Sequence, residues 1–254
     1  MRPSKRLFIG ARISVATANA LAGCAETLAR RAKDAGVELR WVSPINYHVT
    51  LAFLGWTGED AIGAVCDAVG AAVDGIDRTA PPSGSAAGRG PAPAGERIGF
   101  RTARLGAFAS LDKATVLWAG VEDSGPLTRL ADAIGERMAA LGFPRDPRGF
   151  HPHVTLARLR SPRAIRDVVL PMAEQMFGDT KLDAVIVFES ETKSSGSVYT
   201  ELEKLTLKRA RNSPSEGPKR QTAALERGTP EREPAKPDDT DDTDDGWPRG
   251  QGPT

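Results

Sequence analysis

The five letters HVTLA occur twice in this chain, at residues 48–52 and 153–157. An identical pentapeptide in a chain of 254 residues is improbable by chance and points to two similar units built around similar strands. Successive side chains of a strand point to opposite faces. In the first copy His48 and Thr50 therefore share one face, while Val49, Leu51 and Phe53 take the other. In the second, His153 and Thr155 oppose Val154 and Leu156. The valines and leucines suit a core beneath helices. The histidines and threonines do not, and the chain holds only one other histidine, His151.

The flanking segments extend the duplication. Residues 5–13 read as a strand and 15–35 as an Ala-rich helix stopped by Gly36. Residues 37–43 alternate as a strand does before Pro44, and 59–75 read as a second helix. Further on, 97–109 and 114–121 read as strands, and 125–142 as a third helix with Ser124 as cap and Pro126 in its first turn. Residues 163–177 suggest a short helix broken at Pro171, and 182–190 and 197–208 are closing strands. The expected architecture is α+β: a duplicated, two-lobed α/β domain with pseudo-two-fold symmetry, its antiparallel sheets lining a central cleft with helices outside.

This domain is expected to occupy residues 1–210, interrupted by a flexible loop at about 77–96, where Pro, Gly, Ser and Ala dominate. From residue 211 to 254 the composition changes to seven prolines and an acidic run, DDTDDTDD, which predicts a disordered tail. The tail has a net charge of −3 and the body +4, a small basic excess compatible with an anionic ligand. The two cysteines, Cys24 and Cys66, both fall in predicted helices, so a reduced, cytoplasmic setting is expected. Neither CxxC nor HxxxH occurs, and no metal or other cofactor is expected. No apolar run is long enough for a signal peptide or a membrane span, so no membrane contact is expected; a monomer is the default expectation.

Two H-x-T strands side by side would present two imidazoles and two hydroxyls to one gap. Within each strand the ring and the hydroxyl lie roughly 7 Å apart. Imidazole titrates near neutrality, so a pair can hold one neutral base and one charged acid. Threonine hydroxyls can donate to nonbridging phosphate oxygens while charge redistributes. That set suits phosphoryl chemistry without a metal. A single H-x-T is more often a hydrogen-bonded structural pair; two in matched contexts favour a catalytic one.

The ordered pieces RLFIGARI, NYHVTLAFLG, FHPHVTLAR and VYTELEKLTL make the chain resemble the two-histidine phosphoesterase superfamily, and within it the RNA 2′,3′-cyclic phosphodiesterase (2′-5′ RNA ligase-like) family. The resemblance runs from residue 5 to about 210. It implies hydrolysis of a terminal 2′,3′-cyclic phosphate on RNA, tRNA fragments included, to a 2′-phosphomonoester. His48 would be the proton donor and His153 the proton acceptor, with Thr50 and Thr155 as phosphate-binding hydroxyls. Arg158 would stand near the phosphate, and Phe53 would stack on the terminal base. Strand alternation points Phe53 away from His48, so stacking needs the strand to twist or end there. The alternatives for these two are a core phenylalanine and a solvated strand-end arginine. His151 is read as a positioning group, and Tyr47 and Trp56 as packing. Other readings are a different two-histidine activity, such as 2′-5′ oligonucleotide cleavage or ligation, and a non-catalytic RNA-end-binding module.

Overall fold

The computed structural model describes residues 3–76, 98–123, 125–193 and 196–207. The expected loop at 77–96, the tail from 211 and Ser124 lie outside them. Among the described residues nine antiparallel strands make one sheet: β1 (Ser4–Arg12), β2 (Arg40–Trp41), β3 (His48–Gly58), β4 (Gly99–Phe108), β5 (Ala114–Asp123), β6 (His153–Arg163), β7 (Met176–Lys181), β8 (Ala184–Lys193) and β9 (Gly196–Thr206). Their spatial order is β7-β4-β5-β6-β3-β1-β8-β9, with β2 pairing to β6. Two groups of four thus meet where β3 touches β6, and the ladder pair there joins Val49 to Val154. These are the second residues of the two HVTLA copies. The α+β class is as expected, with a large antiparallel sheet and helices packed against it. The sheet runs continuously across the β3–β6 seam.

Three longer helices cover the face that carries the valines and leucines. α1 (Val15–Asp34) starts at Ser14, whose hydroxyl accepts from the Thr17 amide at 3.2 Å. It ends at Gly36, where φ is +67° and the Val37 amide reaches back to the Ala32 carbonyl at 2.8 Å. Its buried stripe is Leu21, Cys24, Ala25, Leu28 and Ala32. α2 (Ile62–Gly75) buries Val65, Val69, Ala72 and Val73, and α3 (Pro126–Ala140) buries Leu127, Leu130, Ala131, Ile134 and Met138. At the start of α3, Asp123 supplies a cap of its own. The Asp123 carboxylate accepts from the amides of Leu127 and Thr128, at 3.2 and 2.8 Å.

Two elements depart from the sequence reading. The strand expected at 37–43 contracts to Arg40–Trp41, a short edge piece against β6. The helix expected at 163–177 is one turn, α4 (Arg166–Val169), followed by a 3₁₀ turn at Leu170–Met172 that holds Pro171. Its last two residues begin β7, an edge strand against β4 that buries Phe177 and Thr180. Only six residues long and containing Gly178 at φ +131°, β7 has too little alternation to announce itself.

Candidate functional site

Val49 and Val154 lie opposite one another in an antiparallel pair, so their side chains leave the sheet on the same side. Both are fully buried beneath the helices. Their neighbours His48, Thr50, His153 and Thr155 must then all leave on the other side, which the long helices do not cover. The structure brings these four half-buried groups to one face, on either side of a single residue pair.

The two copies share a second feature. Along β1 and β3, Gly10 pairs with Thr50 but Ile9 pairs with Ala52, leaving Leu51 as an extra residue. Along β5 and β6, Trp118 pairs with Thr155 but Leu117 pairs with Ala157, leaving Leu156 extra. Each HVTLA therefore carries a β-bulge at its leucine. A one-residue offset sends every later side chain to the opposite face. Phe53 consequently pairs with Phe8, and Arg158 with Val116, on the same face as the histidines. Phe53 is 62% exposed there, which corrects the face assigned by simple alternation and rules out a core role. Arg158 is exposed on the same side. Opposite it in β2 stands Arg40, a residue that sequence reasoning passed over. Like charges set directly opposite destabilise a sheet, and an anion between them would relieve that cost.

Both imidazoles are tethered alike. His48 Nδ1–H donates to the Asn46 carbonyl at 2.6 Å, and His153 Nδ1–H to the His151 carbonyl at 2.7 Å. A carbonyl can only accept, so the proton of each neutral ring resides on Nδ1 and the lone pair on Nε2. Thr50 donates its hydroxyl to His48 Nε2 at 3.1 Å. His151 thus positions His153 through its backbone, while its own ring is exposed and lies 5.2 Å from Trp118.

Aromatic rings frame each imidazole. Phe8 lies 4.8 Å from His48 between ring centroids, and Tyr199 meets His48 edge-on at 5.3 Å. Phe188 stacks behind Phe8 at 4.9 Å. On the other side Phe108 meets His153 edge-on at 5.0 Å. Two glycines make room for these rings. A methyl at Gly10 would press on the His48 ring at 3.3 Å, and one at Gly106 would collide with the Trp118 ring. Phe8, Tyr199, Phe188 and Phe108 come from strands distant in sequence, and only the register assembles them. Tyr47 is packed in the core as expected, where burial pushes its phenol up to about 12. Trp56 is not packed; it is 74% exposed.

Burial lowers the His48 pKa from 6.5 to about 4, with further lowering by the charges of Arg12, His153 and Arg158 and an opposing pull from the Asn46 carbonyl. His153 is lowered in the same direction, first by burial and then by His151 and Arg158. Arg158 therefore acts on both rings at once. Both imidazoles are neutral at pH 7 in the unliganded protein, and an anion placed between them would raise both.

A sheet carrying two tethered H-x-T strands on one open face defines a two-histidine protein of the phosphoesterase type. The chain belongs to the 2′-5′ RNA ligase superfamily, whose model matches residues 25–194. Similar proteins include an RNA 2′,3′-cyclic phosphodiesterase of Aeropyrum pernix, 30% identical over 66% of this chain and 85% of its own length. Another of that name, from Archaeoglobus fulgidus, is 29% identical over 63% of this chain and 80% of its own. Among solved structures, TT0787 of Thermus thermophilus matches with a TM-score of 0.57 and 25% identity, over 80% of this chain and 97% of that one. The fold also matches E. coli LigT complexed with 3′-AMP, at a TM-score of 0.55 and 18% identity, over 82% of this chain and 100% of that one.

Proposed function

We propose that this protein hydrolyses the terminal 2′,3′-cyclic phosphate of RNA to a 2′-phosphomonoester, without a metal, by paired acid–base action of His48 and His153. The observation that carries the reading is the matched tethering of the two rings. Each has Nδ1 engaged by a carbonyl two residues earlier, on one face of the sheet, which turns Nε2 toward proton transfer; at His48 that nitrogen meets the Thr50 hydroxyl, which substrate would displace. Two lobes, related by a pseudo-two-fold axis at the Val49–Val154 pair, enclose the cleft between them. The Aeropyrum and Archaeoglobus relatives bear the name of this activity.

In this scheme water attacks phosphorus and gives its proton to His153 Nε2. The bond from phosphorus to the 3′ oxygen breaks, and that oxygen takes a proton from His48 Nε2–H. The nonbridging oxygens, held by Thr50, Thr155 and Arg158, carry the charge throughout. His48 is neutral before substrate arrives, so the cyclic phosphate monoanion must draw a proton onto it. A strongly depressed pKa then makes His48 a strong donor.

The pH dependence follows with a definite sign. Both free-protein pKa values lie below 6.5, that of His48 at about 4. The singly protonated pair is therefore most populated on the acid side of 6.5, and a bell-shaped kcat/KM profile is expected to peak there. The bound anion raises both values, so the kcat bell is expected at higher pH. Coincident profiles would contradict the scheme.

The direct test is incubation with an oligoribonucleotide ending in a 2′,3′-cyclic phosphate, with EDTA present. Among the described residues no group of three His, Cys, Asp or Glu side chains is placed to hold a metal, so turnover is expected to persist. The expected product is the 2′-phosphate. A 3′-phosphate would reverse the assignment of the leaving oxygen. Binding without turnover would establish an RNA-end-binding module instead.

A further inference from the structure

β3 contains a second bulge. Leu7 pairs with Gly55 directly after Phe8 pairs with Phe53, so Leu54 is extra, and Gly55 takes φ +74°. Trp56 then pairs with Arg6. Two bulges turn a spacing of three along β3 into a spacing of two along β1. Thr50, Phe53 and Trp56 stand opposite Gly10, Phe8 and Arg6 in turn, all on the histidine face and separated by roughly 7 Å each. Beyond the phosphate-facing threonine, therefore, lie two large aromatic side chains exposed by 62% and 74%.

The far end of this row opens onto a cavity of about 540 Å³, lined on the same face by Ser4, Arg6, Trp56, Ser190 and Thr192. Its acidic members are already neutralised: Lys5 holds Glu189 at 2.7 Å, and Lys193 holds Glu191 at 3.1 Å. Among the described residues of this lining, Arg6, exposed beside Trp56, is the cation left over for a phosphate.

We infer that Trp56 and Arg6 form a subsite for the nucleotide preceding the cyclic-phosphate end, Trp56 stacking on its base and Arg6 meeting its phosphate. An exposed indole is a poor packing element but a sequence-tolerant platform for a splayed base. The step from Phe53 to Trp56 is longer than the roughly 3.4 Å per nucleotide of a stacked strand. Each base thus takes its own aromatic surface instead of stacking on its neighbour. The subsite extends the strand-end site of the proposed function and rests on that reading.

The experiment compares wild type, Trp56→Ala, Trp56→Phe and Arg6→Ala on two substrates. One is a nucleoside 2′,3′-cyclic phosphate; the other is a trinucleotide with the same terminal group. For Trp56→Ala the trinucleotide KM is expected to rise about 5- to 30-fold, with the mononucleotide unaffected and Trp56→Phe largely restoring the wild-type value. Arg6→Ala should raise the trinucleotide KM alone and flatten its salt dependence. Equal losses on both substrates, or no loss on either, would overturn the subsite. If wild type turns over neither substrate, the proposed hydrolysis fails. The subsite is then judged by fluorescence-anisotropy titration of a 3′-phosphorylated trinucleotide. Weaker binding by Trp56→Ala supports it, and equal binding removes it.

Discussion

Alanine at either His48 or His153 is expected to lower kcat on a 2′,3′-cyclic phosphate by about 10²–10⁴-fold, with the circular dichroism spectrum and melting temperature close to those of wild type. The structural half of that expectation rests on position. Both rings are half-buried on the face the long helices leave open, and the buried valines and leucines of the same strands remain in place. The catalytic half rests on proton inventory. Without His48 the departing oxygen must leave as an alkoxide or find a proton in solvent. Without His153 the attacking water keeps its proton until the bond to phosphorus has formed. Removing both should cost less than the product of the single losses, because the two act on one transition state. Steady-state kinetics on the three variants measures this. A single variant with wild-type kcat would remove that histidine from the chemistry.

Arg158→Ala should be the next most damaging change, lowering kcat/KM by about 10²–10³-fold, and it carries a signature that a merely structural arginine would not. The Arg158 charge lowers the pKa of both His48 and His153. Its removal should move both limbs of the kcat/KM profile to higher pH. Arg158→Lys should return the limbs toward their original position while recovering only part of the rate, because a lysine keeps the charge but loses the forked donor geometry. A loss of activity with the profile unmoved would place Arg158 outside the field of the histidines. The exposed side chain and its edge pairing with Arg40 make a loss of folding an unconvincing explanation for either result.

The strands and helices around the repeat were legible because their periodicities are strong. α1, α2 and α3 and the two HVTLA strands fall close to where alternation and apolar stripes put them. What escaped reading is what pairing decides. The leucine bulges leave no mark in a single strand, since Leu51 and Leu156 look like ordinary core residues; only the count against β1 and β5 shows them to be extra. That omission put Phe53 on the wrong face. Arg40 was passed over because its importance lies in the residue opposite, 118 positions away in the chain. Phe8, Phe188 and Tyr199 surround one histidine from three strands, and no local pattern joins them. The carbonyl tethers were hidden for a simpler reason: any residue two places before a histidine has a carbonyl.

Under the proposed mechanism, the matched carbonyl fastening of the two imidazoles leaves a debt at the end of each cycle. Once the ring-opened nucleotide has formed, the proton that began on one Nε2 is gone and the other Nε2 has gained one, so the spent site is the mirror image of the ready one. Neither ring can recover by passing hydrogen through its Nδ1, which a carbonyl occupies. Exchange with bulk water through the partly exposed edges must restore the starting arrangement. At low buffer concentration this recharging becomes a candidate for the slowest event in turnover, visible as acceleration by added small-molecule proton carriers.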